Sequence, residues 1–382
     1  MTVLTEEQTA NVANVLVRAG VDVQGQLSSA LITGGRSNLT YRLDDGYQRW
    51  VLRMPPRHGR TPSAHDVARE FRVTAALRNT DVPVAAAVTL CEDESVLGAP
   101  FAVAAFVDGR AVQSRDDLDQ VPEATLGHLV DRLVQTLAAL HRVDHVAVGL
   151  ERFGRPDGYA ARQLMRWAGQ WDLVGTPDLD PLAQEIITRL GDELPEQRRP
   201  AIVHGDFRID NTLLTDLDGI PEVAAVVDWE LSTIGDPVAD VAMMCAYRDP
   251  AFDLVVGAPS AWTSPRLPDT TRLAGLYESA GGAELVDWGR HLALAHLKIA
   301  VIAAGIDHRF RAGSGSSPGF DSAGGAVGIF LQARGPRSTR GTRSDEVRAG
   351  DRGHPRHRQG HRRAARRAGF RPDRHRAGRR RT

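Results

Sequence analysis

In the stretch AIVHGDFRIDNTLL, residues 201–214, an apolar run gives way to His204, Asp206, Arg208, Asp210 and Asn211 within eight positions and then resumes. An Asp carboxylate just after a strand and an Asn amide five residues on can be aimed by one loop into one cleft. Downstream, EVAAVVDWE ends a second apolar run at Asp228, flanked by Trp229 and Glu230. Two carboxylates and an amide oxygen are hard donors that suit Mg²⁺ carrying a phosphate chain. Phosphoryl transfer asks for those parts: metal ligands, a carboxylate near the acceptor hydroxyl, and cations or N–H groups on the phosphates. The competing reading is a polar hairpin turn, because turns are rich in Asp, Asn and Gly. HGD followed by Asn at this spacing arises by chance on the order of once per thousand chains of this length. The DWE run after a short hairpin lowers that further, and the chemical reading is preferred.

Those residues need a frame. Glu6–Ala19 is amphipathic with helical spacing, and ALITGGRSNLTYRLDDGYQRWVLRMPP alternates apolar and polar residues between Gly-rich breaks, as three short antiparallel strands would. SAHDVAREFRVTAALRNT reads as a helix with Val67, Phe71, Val73 and Leu77 in phase, and VPVAAAVTLCEDESVLGAPFAVAAFVDG returns to strands around a turn at Glu92–Glu94. From Glu123 the pattern turns helical: Leu126, Leu129, Val130, Leu133, Leu137 and Leu140 share one face. Further helices are expected at Gly158–Gln170, Pro181–Leu190, Pro237–Tyr247, Thr270–Ser279 and Glu284–Ala304. AIVHGD, NTLLTD and PEVAAVVDWE interrupt them as short strands, the last two joined by an Asp218–Gly219 turn. No internal repeat is present. The expected organisation is α+β: a small strand-rich part, 1–107, a larger helical part with a β-hairpin insert, 108–334, and a tail, 335–382.

HGDFRIDN with VVDWE resembles the catalytic core of the aminoglycoside phosphotransferase-like kinases, a branch of the protein-kinase-like bilobal fold, over approximately residues 27–330. The resemblance implies an ATP- and Mg²⁺-dependent transfer to an alcohol group. It makes Asp206 the catalytic base or acceptor-orienting carboxylate, and Asn211 and Asp228 the metal ligands. His204 would hold the loop, and Asp240, in STIGDPVADVA, would bond the loop backbone. ITGGRSNLTYRL stands where the family's phosphate-covering loop belongs, so Gly34, Gly35, Ser37 and Asn38 are expected at the nucleotide, although GGRSN is not a Walker motif. The family's third-strand lysine is missing: the strand reads WVLRMPP, and the chain's only lysine is Lys298. Arg53 is the substitute, always charged and able to fork onto phosphate oxygens. Glu70 would orient it, the alternative being a solvated helix charge. FAVAAFVDG resembles the hinge, with backbone groups near Ala104–Phe106 on the adenine.

VLRMPP, GYAARQLMRWAGQWD and HLALAHLKIAVIAAGIDHRF resemble the sub-branch found near, or fused to, acyl-CoA dehydrogenases. That implies a small-molecule hydroxyl acceptor such as a hydroxyacyl-CoA. Arg162 and Arg166, one turn apart, would then meet CoA phosphates or else be plain surface charges. Three alternatives stand beside this reading: an aminoglycoside or amino-alcohol kinase, a nucleotide-binding pseudokinase, and a flavin acyl-CoA dehydrogenase, whose pattern nothing here matches. Asp228 is not followed by a recognisable activation segment, which argues against a protein kinase.

Composition narrows the partners. Net charge is −1, but it averages two unlike segments. From Gly335 on there are 17 Arg against 4 acids, leaving 30 basic and 44 acidic residues before it. An acidic body argues against nucleic acid as its main partner, outside non-specific attraction to the tail. The tail has the Arg, Gly, Ala and Pro bias of a GC-rich gene read out of frame, and it departs after GIFLQA in mid-helix. Cys91 and Cys245 alone make no disulfide framework or metal cluster. The N-terminus does not read as a signal peptide, and HLALAHLKIAVIAAG is shorter than a membrane span. A cytoplasmic protein with no membrane partner is expected; the oligomeric state is left open.

Overall fold

Thr5 caps the first helix by a reciprocal pair: its hydroxyl accepts from the Gln8 N–H at 3.2 Å, and the Gln8 side chain accepts from the Thr5 N–H at 3.0 Å. The computed structural model describes residues 4–32, 38–55, 66–313 and 321–333. Helix α1 (Glu6–Arg18) is followed by β1 (Ser28–Ile32), β2 (Leu39–Asp44), β3 (Arg49–Met54), α2 (Val67–Leu77), β4 (Ala87–Cys91) and β5 (Phe101–Ala105). The strands form one antiparallel sheet in the order β1-β2-β3-β5-β4. Tyr41, Leu43, Trp50, Leu52, Met54, Phe101 and Val103 join Val12 and Leu16 of α1 in its core. Side chains alternate along a strand, so Arg53, between Leu52 and Met54, leaves on the face away from that core.

The rest is mostly helical. It comprises α3 (Arg115–Asp119), α4 (Glu123–Arg142), α5 (Tyr159–Val174), α6 (Asp180–Asp192), β6 (Ala201–Val203), β7 (Thr212–Thr215), β8 (Glu222–Val226), β9 (Thr233–Gly235), α7 (Pro237–Ala246), α8 (Phe252–Val256), α9 (Thr270–Ser279), α10 (Trp288–Arg311) and α11 (Gly324–Gln332). Every residue of α7 is buried, which is why its sequence is apolar all round rather than on one stripe. At 24 residues α10 has the length and composition to cross a membrane. It instead packs against α5, α6, α7 and α11 and buries His291 and Asp307 among its apolar residues, as a core helix of this body does.

The α+β fold class stands. Three short elements were not visible in the sequence, α3, α8 and β9, whereas the helix expected to end near GIFLQA is α11. β9 matters most, because β6 pairs with it and not with the β7–β8 hairpin. All described residues fall in one compact unit. Val73 and Leu77 of α2 belong to the large helical core, so the expected 107/108 boundary crosses continuous packing.

Two straps cross from the sheet to the hairpin. Val226 N–H donates to the Pro83 carbonyl at 2.8 Å, beside a parallel bridge between Val84 and Val226. On the other edge Arg110 and Leu214 exchange both backbone bonds, at 2.8 and 3.0 Å. The close approach explains Gly109, where a Cβ would come within 3.0 Å of the Leu213 Cβ.

Candidate active site

β6 ends at Val203 and the chain turns sharply. Gly205 has φ +83°, and a Cβ there would lie 2.8 Å from the Leu231 carbonyl oxygen, so only glycine fits. The turn is held by Asp240 in the first turn of α7. Its carboxylate accepts from the His204 N–H at 2.7 Å and the Gly205 N–H at 2.8 Å. His141, at the end of α4, adds its Nε2 at 3.2 Å and passes its Nδ1 to the Tyr277 hydroxyl at 2.7 Å. Burial works to raise the Asp240 pKa, but the His141 hydrogen bond and the loop N–H groups hold it below the ordinary value. Asp240 is thus an ionised buried group with its partners supplied.

The His204 ring joins this loop to the next element. Its Nε2 meets the Val227 carbonyl at 2.9 Å, which requires Nε2 to carry the proton and leaves Nδ1 to accept from the Asp206 N–H at 3.3 Å. Val227 N–H in turn donates to the Asn211 carbonyl at 3.0 Å. Asn211 and Asp228 therefore sit side by side at the open end of the β7–β8 hairpin. The Asn211 Nδ2 donates to the Asp206 carbonyl at 2.8 Å and its Oδ2 at 3.0 Å, which turns the amide oxygen away from Asp206. Asp228 has φ +65°, a left-handed conformation costing about 1–2 kcal/mol for a residue with a Cβ. Such strain is concentrated at functional sites.

The first part of the chain brings its own charges to the same point. Arg53 places Nη2 3.2 Å from Asp228 Oδ1 and Nη1 3.2 Å from Glu70 Oε2. Glu70 lies on the buried stripe of α2 with Val67, Val73 and Leu77 and is 6% exposed, so it is not a solvated helix charge. Burial raises its pKa to about 7; Arg53 pulls it down, and the Asp228 and Glu230 carboxylates push it up. Carboxylate oxygens of Glu70, Asp228 and Glu230 lie within 4.8 Å of one another, a hard oxygen set that fits a divalent cation. α2 reaches this point because it packs on the turn Trp229–Leu231 and because Arg69 grips the Ser232 carbonyl at 2.9 Å and the Phe153 carbonyl at 2.7 Å.

Several expectations need correction. Arg208, whose type allows either a solvent-facing charge or a residue that tunes the loop, does the latter: 8% exposed, it bridges Asp206 at 3.1 Å and Asp210 at 3.2 Å and lies over the Tyr247 and Phe252 rings. Asp210 is half-buried beside it, where burial raises its pKa against the pull of Arg208. The Phe106 N–H already donates to the Arg49 carbonyl at 3.0 Å, and Ala104 is paired within the sheet on both sides, so neither of these N–H groups is free for adenine. Asn38 donates to Glu70 at 2.9 Å, as a support of the ion-pair cluster. Arg162 is tied to the Asp157 and Arg155 carbonyls, whereas Arg166 is exposed beside the Trp167 ring. Gly34, Gly35 and Ser37 lie outside the described residues, as does the Arg-rich tail.

His141, Arg69 and Lys298 belong to this neighbourhood without having been expected there, while Glu230 was noted only as a flank of Asp228. His141 could have been found, because it falls on the buried stripe of α4 one turn after Leu137.

Known proteins of like sequence and shape bear on this geometry. The family model of the phosphotransferase enzyme family matches residues 29–276. Acyl-CoA dehydrogenase family member 10 of Mus musculus is 33% identical over 302 residues, 78% of this chain. The chain spans 28% of that protein's length, so the printed name describes much more than the matched segment. A crystal structure from Ralstonia eutropha, provisionally designated an aminoglycoside phosphotransferase, superposes with a TM-score of 0.72 at 33% identity, covering 85% of this chain and 95% of that one. Aminoglycoside phosphotransferase APH(4)-Ia, crystallised with AMP-PNP and hygromycin B, shares the fold at TM-score 0.56 and 17% identity, covering 84% and 97%. The HGD loop, the strained Asp228 and the sheet above them thus belong to a protein-kinase-like body, and the chain is a member of the phosphotransferase enzyme family.

Proposed function

We propose that the chain is a cytoplasmic small-molecule kinase that moves the γ-phosphoryl group of ATP to the hydroxyl of a hydroxylated acyl compound, such as a hydroxyacyl-CoA. The observation that carries this is the meeting of Arg53, Glu70 and Asp228 beside a loop presenting Asp206 and Asn211. In the transfer a bond forms between the acceptor oxygen and the γ-phosphorus. The bond to the β–γ bridging oxygen breaks, ADP leaves with that electron pair, and the hydroxyl proton passes to Asp206. Asn211 and Asp228, with Glu230 close by, would hold Mg²⁺, which supplies charge neutralisation on the phosphates. Arg53, oriented by Glu70, grips the α- and β-phosphates in place of the family's lysine. The Arg208 and Asn211 contacts on Asp206 fix the carboxylate toward the acceptor.

The acyl acceptor is supported by the likeness to the dehydrogenase family members and by the single matched segment they share with this chain. AMP-PNP in the APH(4)-Ia complex supports ATP as donor. Transfer from labelled ATP is the test, run over hydroxyacyl-CoAs, aminoglycosides and amino alcohols with Asp206→Ala as control. A phosphoester formed on a hydroxyacyl-CoA and lost in the variant is expected. Turnover by Asp206→Ala at the wild-type rate would sink the assignment.

A further inference from the structure

A narrow cleft of about 20 Å³, room for a single oxygen-sized group, opens between α5, α7 and α10. Its walls include Tyr159, Trp167 and Met243, and its polar groups are Gln163, His291 and Lys298. Lys298, the only lysine of the chain, donates from Nζ to the Gly205 carbonyl at 3.3 Å, one residue before Asp206. The same ammonium lies 5.8 Å from the centre of the Trp167 ring. An ammonium carries three donors, and a charge taken out of water calls for oxygen partners. Burial pushes the Lys298 pKa down, and the Asp206 and Asp240 carboxylates push back.

His291, 1% exposed, supplies a second and independent sign. Neither of its ring nitrogens has a hydrogen-bond partner, and the Asp236 carboxylate beside it is 3.7 Å away. Buried polar atoms are satisfied in the great majority of cases, so an unpartnered imidazole lining a cleft points to a polar ligand.

We propose that this cleft is the acceptor subsite and that Lys298 determines specificity there. Its ammonium binds a carbonyl or carboxylate oxygen close to the hydroxyl that is phosphorylated, and it turns away acceptors carrying a cation at that position. The proposal rests on the phosphotransfer reading above and sharpens its acceptor. An amine in the cleft would face Lys298, with the charge of Arg166 adding to the repulsion. At contact distance and intermediate dielectric such a pair costs tenfold or more in affinity. A polycation is therefore the wrong guest for this cleft, although not for the fold.

The test is binding by calorimetry, which needs no turnover. The probes are 3-hydroxybutyrate, its CoA thioester, and 4-aminobutan-2-ol, which keeps the hydroxyl and replaces the carboxylate with an amine. Wild-type protein is expected to bind the thioester at least tenfold more tightly than the amine. Lys298→Met should weaken thioester binding tenfold or more, and in steady state should raise its KM well before lowering kcat. Gln163→Glu, which leaves Lys298 in place and adds a carboxylate from α5, should narrow the discrimination tenfold and serves if Lys298→Met does not fold. Equal wild-type affinity for amine and thioester, or Lys298→Met and Gln163→Glu binding both as wild type does, overturns the proposal. The expected binding pattern without transfer from ATP to any acceptor would count for the subsite and against the phosphotransfer reading, so the two are separable.

Discussion

Arg53 of β3 and Asp228 at the end of β8 meet at 3.2 Å across 175 residues of chain, and the same guanidinium reaches Glu70 of α2. One cation thus joins the sheet, the helix and the hairpin. Its two carboxylates are half-shielded or buried, so a neutral side chain at 53 would leave them facing each other.

Arg53→Ala is expected to raise the KM for ATP by roughly 10- to 100-fold, the range of one or two lost charge-assisted hydrogen bonds. Arg53→Lys should restore part of it, since a point charge replaces a fork. Steady-state titration of ATP at saturating acceptor measures both. An unaltered KM in Arg53→Ala would remove Arg53 from the phosphates.

Asp206→Ala is expected to lower kcat by about 10²–10⁴, the usual contribution of a positioned acid or base. Affinity for AMP-PNP should stay within a few-fold. Asp228→Ala should instead abolish the Mg²⁺ dependence of nucleotide binding. Fluorescence titration with and without the metal separates the two roles.

Asp240→Asn should destabilise the protein without touching a reacting atom. The buried carboxylate accepts from two loop N–H groups and from His141, and an amide cannot accept all of them. A loss of about 3 kcal/mol in denaturant unfolding is expected, typical of breaking a buried charged network.

Glu70 gives a pH signature. Its pKa in the folded protein is raised to about 7 from an ordinary value of 4.5, so the folded state binds more protons than the unfolded one between those limits. Its contribution to stability is complete below about pH 4.5 and is lost as pH rises through 7, with a slope on the order of 1 kcal/mol per pH unit. Glu70→Gln removes that component. Unfolding free energies of the two proteins from pH 5 to 7.5 should therefore converge or cross; a constant difference would show that Glu70 is ionised throughout.

Much of the arrangement is legible in the sequence. Hard donors at fixed spacing after apolar runs single out Asp206, Asn211 and Asp228, which the fold brings together, and period-2 and helical patterns locate the sheet and the long helices. Failures have physical reasons. Helical spacing puts Phe71 on the α2 stripe, but the buried face takes Glu70 because Arg53 and Asn38 satisfy its carboxylate, and no single-sequence pattern shows partners so distant. Residue type leaves Arg208 open between solvent and the loop, and only the fold shows the two acids and two rings that house it. β9 was missed because three residues pairing with β6 carry no periodicity. Lys298 stood out only as a missing lysine elsewhere; its address beside Gly205 is a property of how α10 crosses the body.

The straps on the β7–β8 hairpin decide where this molecule can give. Pro83 bonds one edge and Arg110 the other, so both passages of the chain between sheet and helices are bonded along the hairpin rather than crossing as slack tethers. Three backbone bonds must break before the junction itself can gape. Asn211 and Asp228 ride on this anchored side. The hairpin is thus the spine to which the sheet is stitched, and it sets the register between the Arg53 strand and the carboxylates it meets.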